Sequence, residues 1–187
     1  QTFTVVLDAQ PSGNVVFDVS ASDTGEATVN TSTLTFTSGN WNSPQTVTVT
    51  GIDDSIDDGN QNSTVAVSVN DGSTADNDFD SLADSQVTVT TTDNDTSGVA
   101  TSVASITVSE AGTTGTFTVV LDTQPTGNVV FDISASDTGE ATVDSSSLTF
   151  STGDWDTPQT VTVAGIDDSL DDGDQNSTVT VAINTGS

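Results

Sequence analysis

One segment of this chain is written twice. TFTVVLDAQPSGNVVFDVSASDTGEATV starts at Thr2, and TFTVVLDTQPTGNVVFDISASDTGEATV starts at Thr116. The offset of 114 residues holds from Gln1/Gly115 to Ser73/Ser187, and about three quarters of the aligned positions are identical. A repeat this long must close its own hydrophobic core, so the chain encodes one fold twice. Only the stretch 74–114 occurs once. It holds the end of one unit, a polar joint (Thr92-Asp93-Asn94-Asp95-Thr96-Ser97-Gly98) and the start of the next. The boundary is placed near Asp95, giving units 1–95 and 96–187. On this division unit one lacks its first strand and unit two its last. The sequence reads as a window from a longer tandem array, and the isolated piece is expected to aggregate through open sheet edges.

Within each unit the apolar residues recur with period two, as in TVTVT at 46–50 and QVTVT at 86–90. Clusters of Gly, Asn, Asp, Ser and Pro separate these runs, the pattern of short strands and turns. Unit one shows runs at 2–8, 14–21, 33–37, 46–52, 63–70 and 86–92. Unit two opens with 102–109 and continues with 116–122, 128–135, 147–151, 160–166 and 177–184. No stretch has helical period. Seven strands in about a hundred residues suggest an all-β chain of tandem immunoglobulin-like Greek-key β-sandwiches. Phe17, Phe36, Phe131 and Phe150 are core candidates. Trp41 and Trp155, in GNWNSPQ and GDWDTPQ, read as plugs at the end of each sandwich; the competing reading is a platform for a sugar ring.

Charge narrows the function. The chain has 28 Asp and Glu but no Lys, Arg or His, for a net charge of -28. It cannot form side-chain ion pairs or grip phosphate, and it repels nucleic acid and anionic lipid. It has no Cys, Tyr, Lys or His, which serve most nucleophilic, Schiff-base and acid–base mechanisms. The absence of Cys also removes disulfides and thiolate metal sites. No apolar run approaches the ~20 residues of a membrane-spanning helix. The regular β pattern argues against an acidic disordered chain, so the charge must be offset from solution.

Strand parity indicates where the carboxylates gather. The connections after the first, third and fifth strands, and the exit from the seventh, fall at one end of a sandwich. They carry Glu110; Asp23 and Glu26, or Asp137 and Glu140; Asp53, Asp54, Asp57 and Asp58, or Asp167, Asp168, Asp171 and Asp172; and Asp93 with Asp95. An all-oxygen set of this kind favours Ca²⁺ or another hard cation over zinc or copper. The segments GIDDSIDDG and GIDDSLDDG lack the alternation of an EF-hand loop. Asp76, Asp78 and Asp80 belong to the opposite end, where a ligand role and a solvated loop are equally plausible.

SITVSEAG followed by TFTVVL, then LTF, QTVTVTGIDDSIDDG and the closing VTVTTTDND, resembles Calx-beta repeats and their relatives in bacterial surface proteins. Cadherin-like repeats are the close alternative. The Calx-beta resemblance spans each unit, with the IDD after the fifth strand its most specific part. It implies calcium at one end of the sandwich, held by Glu110, Asp53, Asp54, Asp57, Asp58, Asp93 and Asp95, with Asp167, Asp168, Asp171 and Asp172 in unit two. The expected function is a calcium-stiffened structural repeat of an extracellular bacterial fibre or giant adhesin stalk. Its expected partners are neighbouring repeats, or identical chains in a filament, and no enzymatic activity is expected. The alternative is a carbohydrate- or ligand-binding module of a surface protein.

Overall fold

The computed structural model describes residues 1–171 and 173–186. They form an all-β structure of antiparallel sheets, without helix, and so contain no helix able to cross a membrane. The chain divides into two compact units. Unit one comprises Gln1–Asp54 with Asp58–Asp93, and unit two comprises Ser55–Asp57 with the chain from Asn94 onward.

Unit one contains β1 (Thr2–Val5), β2 (Val15–Ala21), β3 (Ala27–Val29), β4 (Thr33–Phe36), β5 (Gln45–Gly51), β6 (Gln61–Val69) and β7 (Ser85–Thr91). One sheet has the order β4-β2-β6-β7 and the other β1-β5-β3. Alternation puts every second residue into the space the sheets share. Val15, Phe17, Val19, Leu34, Phe36, Val65 and Val67 come from the first sheet; Ala27, Val47 and Val49 come from the second. Phe36 packs edge-on to Phe17 with ring centroids 6.0 Å apart, an orientation aromatic pairs favour. Trp41 is half-buried against this core, and its carbonyl accepts from the Leu7 amide at 3.1 Å. That contact favours the plug over a sugar-stacking platform.

Unit two contains β8 (Val99–Thr101), β9 (Thr114–Leu121), β10 (Val129–Ala135), β11 (Ala141–Val143), β12 (Ser147–Phe150), β13 (Gln159–Gly165) and β14 (Val179–Ile183). Its sheets are β11-β13-β9-β8 and β12-β10-β14. The core repeats that of unit one, with Phe131 and Phe150 again edge-on, at 6.1 Å. Trp155 packs against it as Trp41 does in unit one.

Two features depart from the sequence-based expectation. The opening strand of unit two is only three residues long and earlier than expected: Val99 pairs with Leu121, and residues 102–109 join no ladder. Ile106 and Val108 from that stretch still pack against the core, with the Ile106 side chain lying where a side chain at Gly115 would stand. The alternation at 102–109 therefore marks an inward-facing coil. The other departure is a pair of short strands, β3 and β11, which were not expected. Each follows a turn in which an aspartate folds back on the chain: the Gly25 amide donates to Asp23 Oδ1 at 2.9 Å, and the Gly139 amide to Asp137 Oδ1 at 3.0 Å.

Candidate functional site

In unit one, Glu26 feels the charge of four other carboxylates, Asp58, Asp54, Asp23 and Asp93. Glu26 directly precedes β3, and its carbonyl accepts from the Ile52 amide at 2.8 Å and from Thr91 Oγ1 at 2.9 Å. These bonds tie the ends of β5 and β7 to the start of β3. The half-buried Glu26 carboxyl is held above its ordinary pKa, first by partial removal from water and then by the negative charges of Asp58, Asp54, Asp23 and Asp93. Both effects disfavour ionisation. No Lys, Arg or His exists anywhere in the chain to offset them.

The supporting loop is built on Gly59. Its φ of 74° is a left-handed conformation that glycine adopts without strain. Its amide donates to Asp93 Oδ2 at 2.7 Å, while the Asp93 amide donates to Asn60 Oδ1 at 3.0 Å. The loop after β5 is thereby fastened to the exit from β7, and two of the expected carboxylate-bearing segments are held at one end.

The other expected ligands have these surroundings. Asp53 is exposed. Asp57 belongs to unit two, where its Oδ2 accepts from the Ser97 amide at 2.8 Å. That amide, with the Ser97 hydroxyl, draws its pKa below the ordinary value. Asp95 is half-buried, and Glu110 is exposed in the turn closed by the Gly112 amide on the Ser109 carbonyl. Asp167, Asp168 and Asp171 are exposed; Asp168 Oδ1 accepts from the Leu170 amide at 2.7 Å. Asp172 lies outside the described residues. Among the described residues, no three acidic side chains are gathered into a group able to hold a metal ion.

Asp76 has a different role. It is buried, and its Oδ2 accepts from the Ser12 amide at 2.7 Å and the Ser12 hydroxyl at 3.0 Å; Oδ1 accepts from the Asp78 amide at 3.1 Å. These donors, led by the Ser12 amide, hold its pKa below the usual range. Asp76 is a clasp that closes the loop between β6 and β7 over the loop between β1 and β2. No local pattern could show this, because its partner is 64 residues away.

Neither a family model nor a curated protein matches this sequence. Among solved structures, the S-layer protein rSbsC(31-844) is similar at a TM-score of 0.40 and 18% identity, over 90% of this chain and 18% of that one. This chain therefore spans less than a fifth of the length of that neighbour.

Proposed function

We propose that this protein is a calcium-stiffened structural repeat, serving an extracellular bacterial fibre or adhesin stalk, and that its two units are tandem immunoglobulin-like sandwiches. The observation that carries the reading is Glu26, whose pKa is raised first by partial removal from water and then by the charges of Asp58, Asp54, Asp23 and Asp93, with no Lys, Arg or His in the chain to offset them. Such repulsion is relieved either by taking up protons or by binding a cation. The donors present are all oxygens, which suits a hard cation in kind. Glu26, Asp54, Asp58 and Asp93 of unit one are the candidate ligands; among the described residues they are not gathered into a ready site, so binding would have to draw their carboxylates together. Calcium would supply the positive charge the chain lacks and tie the start of β3 to the ends of β5 and β7. Weak sites of about 10⁻⁴–10⁻³ M are typical of extracellular modules, and an extracellular setting is part of the proposal. The role is mechanical rather than catalytic, with neighbouring repeats as partners.

Calorimetry and thermal melting test this directly. Calcium at millimolar concentration should release or absorb heat saturably and raise the melting temperature. Asp54→Asn combined with Asp58→Asn should remove most of that rise while changing the melting temperature in chelator little. Absence of both heat and thermal shift at millimolar calcium would sink the proposal. An equal loss of stability in chelator and in calcium would assign these aspartates to the fold instead.

A further inference from the structure

Asp76 is the one buried carboxylate among the described residues, at 5% exposure. It sits in residues 71–84, a strap that leaves β6 and returns as β7. Beyond its own turns, the strap is tied to the body of unit one by bonds to Ser12, Asn14 and Val16. The Ala75 amide donates to the Asn14 carbonyl at 2.7 Å, the Val16 amide to Thr74 Oγ1 at 3.1 Å, and Ser12 to Asp76. The fit is flush: a Cβ on Gly13 would meet the Ala75 carbonyl oxygen at 3.0 Å. Phe79 of the strap packs against the core. Beside the receiving residues, Pro11 is buried and Val15 has 0% exposure.

The chemistry of the clasp is one-sided. Oδ2 faces the amide and hydroxyl of Ser12, and Oδ1 faces the Asp78 amide. An ionised carboxylate accepts from all three. A protonated one carries a hydrogen that needs an acceptor, where the structure presents amide donors. The surrounding elements supply no Lys, Arg or His. Their titratable groups are Asp8 in the loop after β1, Asp18 on β2, and Asp71, Asp78, Asp80 and Asp84 in the strap itself. Asp18 is engaged by Asn70 Nδ2, at 3.0 Å to each carboxylate oxygen. Closure at Asp76 therefore depends on neutral donors meeting a charged acceptor, and on nothing cationic.

We propose that residues 71–84 are an acid-opened strap: protonation of Asp76 releases Ser12, frees the strap and uncovers Pro11, Val15 and Phe79 while both sheets of unit one stay folded. The sheets survive because their ladders and the Phe17–Phe36 core make no use of Asp76. The direction of the pH response follows from the donors. They hold the Asp76 pKa below the usual carboxylate range, the Ser12 amide foremost. A lowered folded pKa favours closure above the unfolded value, and that contribution is lost as pH falls through the folded one. The strap is thus closed at neutral pH and opens only in acid.

A disulfide supplies the lock for the test. The chain has no Cys, and a Cβ on Gly13 would lie 3.1 Å from that of Ala75, near the ~3.8 Å that a disulfide spans. The whole chain carrying Gly13→Cys and Ala75→Cys is taken from pH 7 to pH 2 in chelator, oxidised and reduced, beside the unaltered chain. Binding of the neutral apolar dye Nile red, hydrogen exchange corrected for its intrinsic rate, and circular dichroism are followed together. The unaltered and reduced chains should gain dye and strap exchange before the β signal falls, and the oxidised chain should gain neither over that range. Asp76→Ala should open the strap at pH 7, raising exchange at residues 74–79 by about tenfold or more and leaving β5 and β13 unchanged. Asp76→Asn, which cannot titrate, should remove the pH dependence of strap exchange. Loss of strap protection and β signal at one pH, acid opening of the oxidised chain, or unaltered strap exchange in Asp76→Ala at pH 7 would each overturn the proposal.

Discussion

Asn30 and Asp144 occupy equivalent positions and do the same work: one accepts from the Thr48 amide at 2.7 Å, the other from the Thr162 amide at 2.8 Å. Asn40 and Asp154 form a second such pair, each accepting from a strand-end amide at 2.6 Å. The turn needs an oxygen, and its charge is secondary. The charge does determine the response to acid. The Thr162 amide holds the Asp144 carboxyl below the usual carboxylate range, and the Ser151 hydroxyl and amide do the same for Asp154. A lowered folded pKa contributes stability above the unfolded value, and that contribution is lost as pH falls through the folded one. Unit two carrying Asp144→Asn and Asp154→Asn should therefore lose less melting temperature between pH 7 and pH 3, as followed by circular dichroism. Glu26 has the opposite sign. Its raised pKa means that folding is helped by protonation, so Glu26→Gln should raise the chelator melting temperature at pH 7 and flatten its pH dependence between 4 and 7. Parity along the sequence was enough to place Asp23, Glu26, Asp54, Asp58 and Asp93 at one end. It could not show that Asp57 would turn to Ser97, because that choice depends on where an amide outside any strand is presented.

At the scale of elements, β6 and β14 form a controlled comparison: near-identical sequences, one covered by β7 and one uncovered. Full burial of a valine side chain is worth about 1.5–3 kcal/mol. Val65→Ala should therefore destabilise unit one by about 2 kcal/mol, and Val179→Ala should cost unit two roughly half as much. Chemical denaturation of the two variants, each followed by the Trp of its own unit, measures the difference. The same comparison shows what could be read from the chain. Long alternating runs such as β5 and β13 were legible because one face of each is buried. The three-residue β3 and β11 were not, since three residues cannot establish a period. Residues 102–109 misled because Ile106 and Val108 face inward without pairing, and alternation reports burial before it reports hydrogen bonding.

At the scale of the whole molecule, -28 charges with no cation make the solvent part of the structure. Each unit has its own aromatic and aliphatic core, and most carboxylates lie in the connections between strands, so the cost of self-repulsion falls mainly on loops. Sodium chloride raised from 0.02 to 0.5 M in chelator should increase the melting temperature by screening. Calcium at a few millimolar should add a further increase at fixed ionic strength. If salt alone reproduces the whole calcium effect, the cation atmosphere is diffuse and no site exists.

The ladders of the two units also share their register. Phe3 lies opposite Val47 and Phe117 opposite Val161, with the flanking pairs in the same order. Nothing in that pairing tells β5 which partner is its own, so joining of β5 to β9 is the expected refolding error. The memory of which strand belongs where rests on parts that occur once: the Asp76 clasp, Phe79 and the coil bearing Ile106. Substitutions there should reveal themselves first as slow, heterogeneous refolding with strand-exchanged products. The near-identity that makes a repeat economical to encode thus leaves kinetic proofreading of the fold to its least repetitive residues.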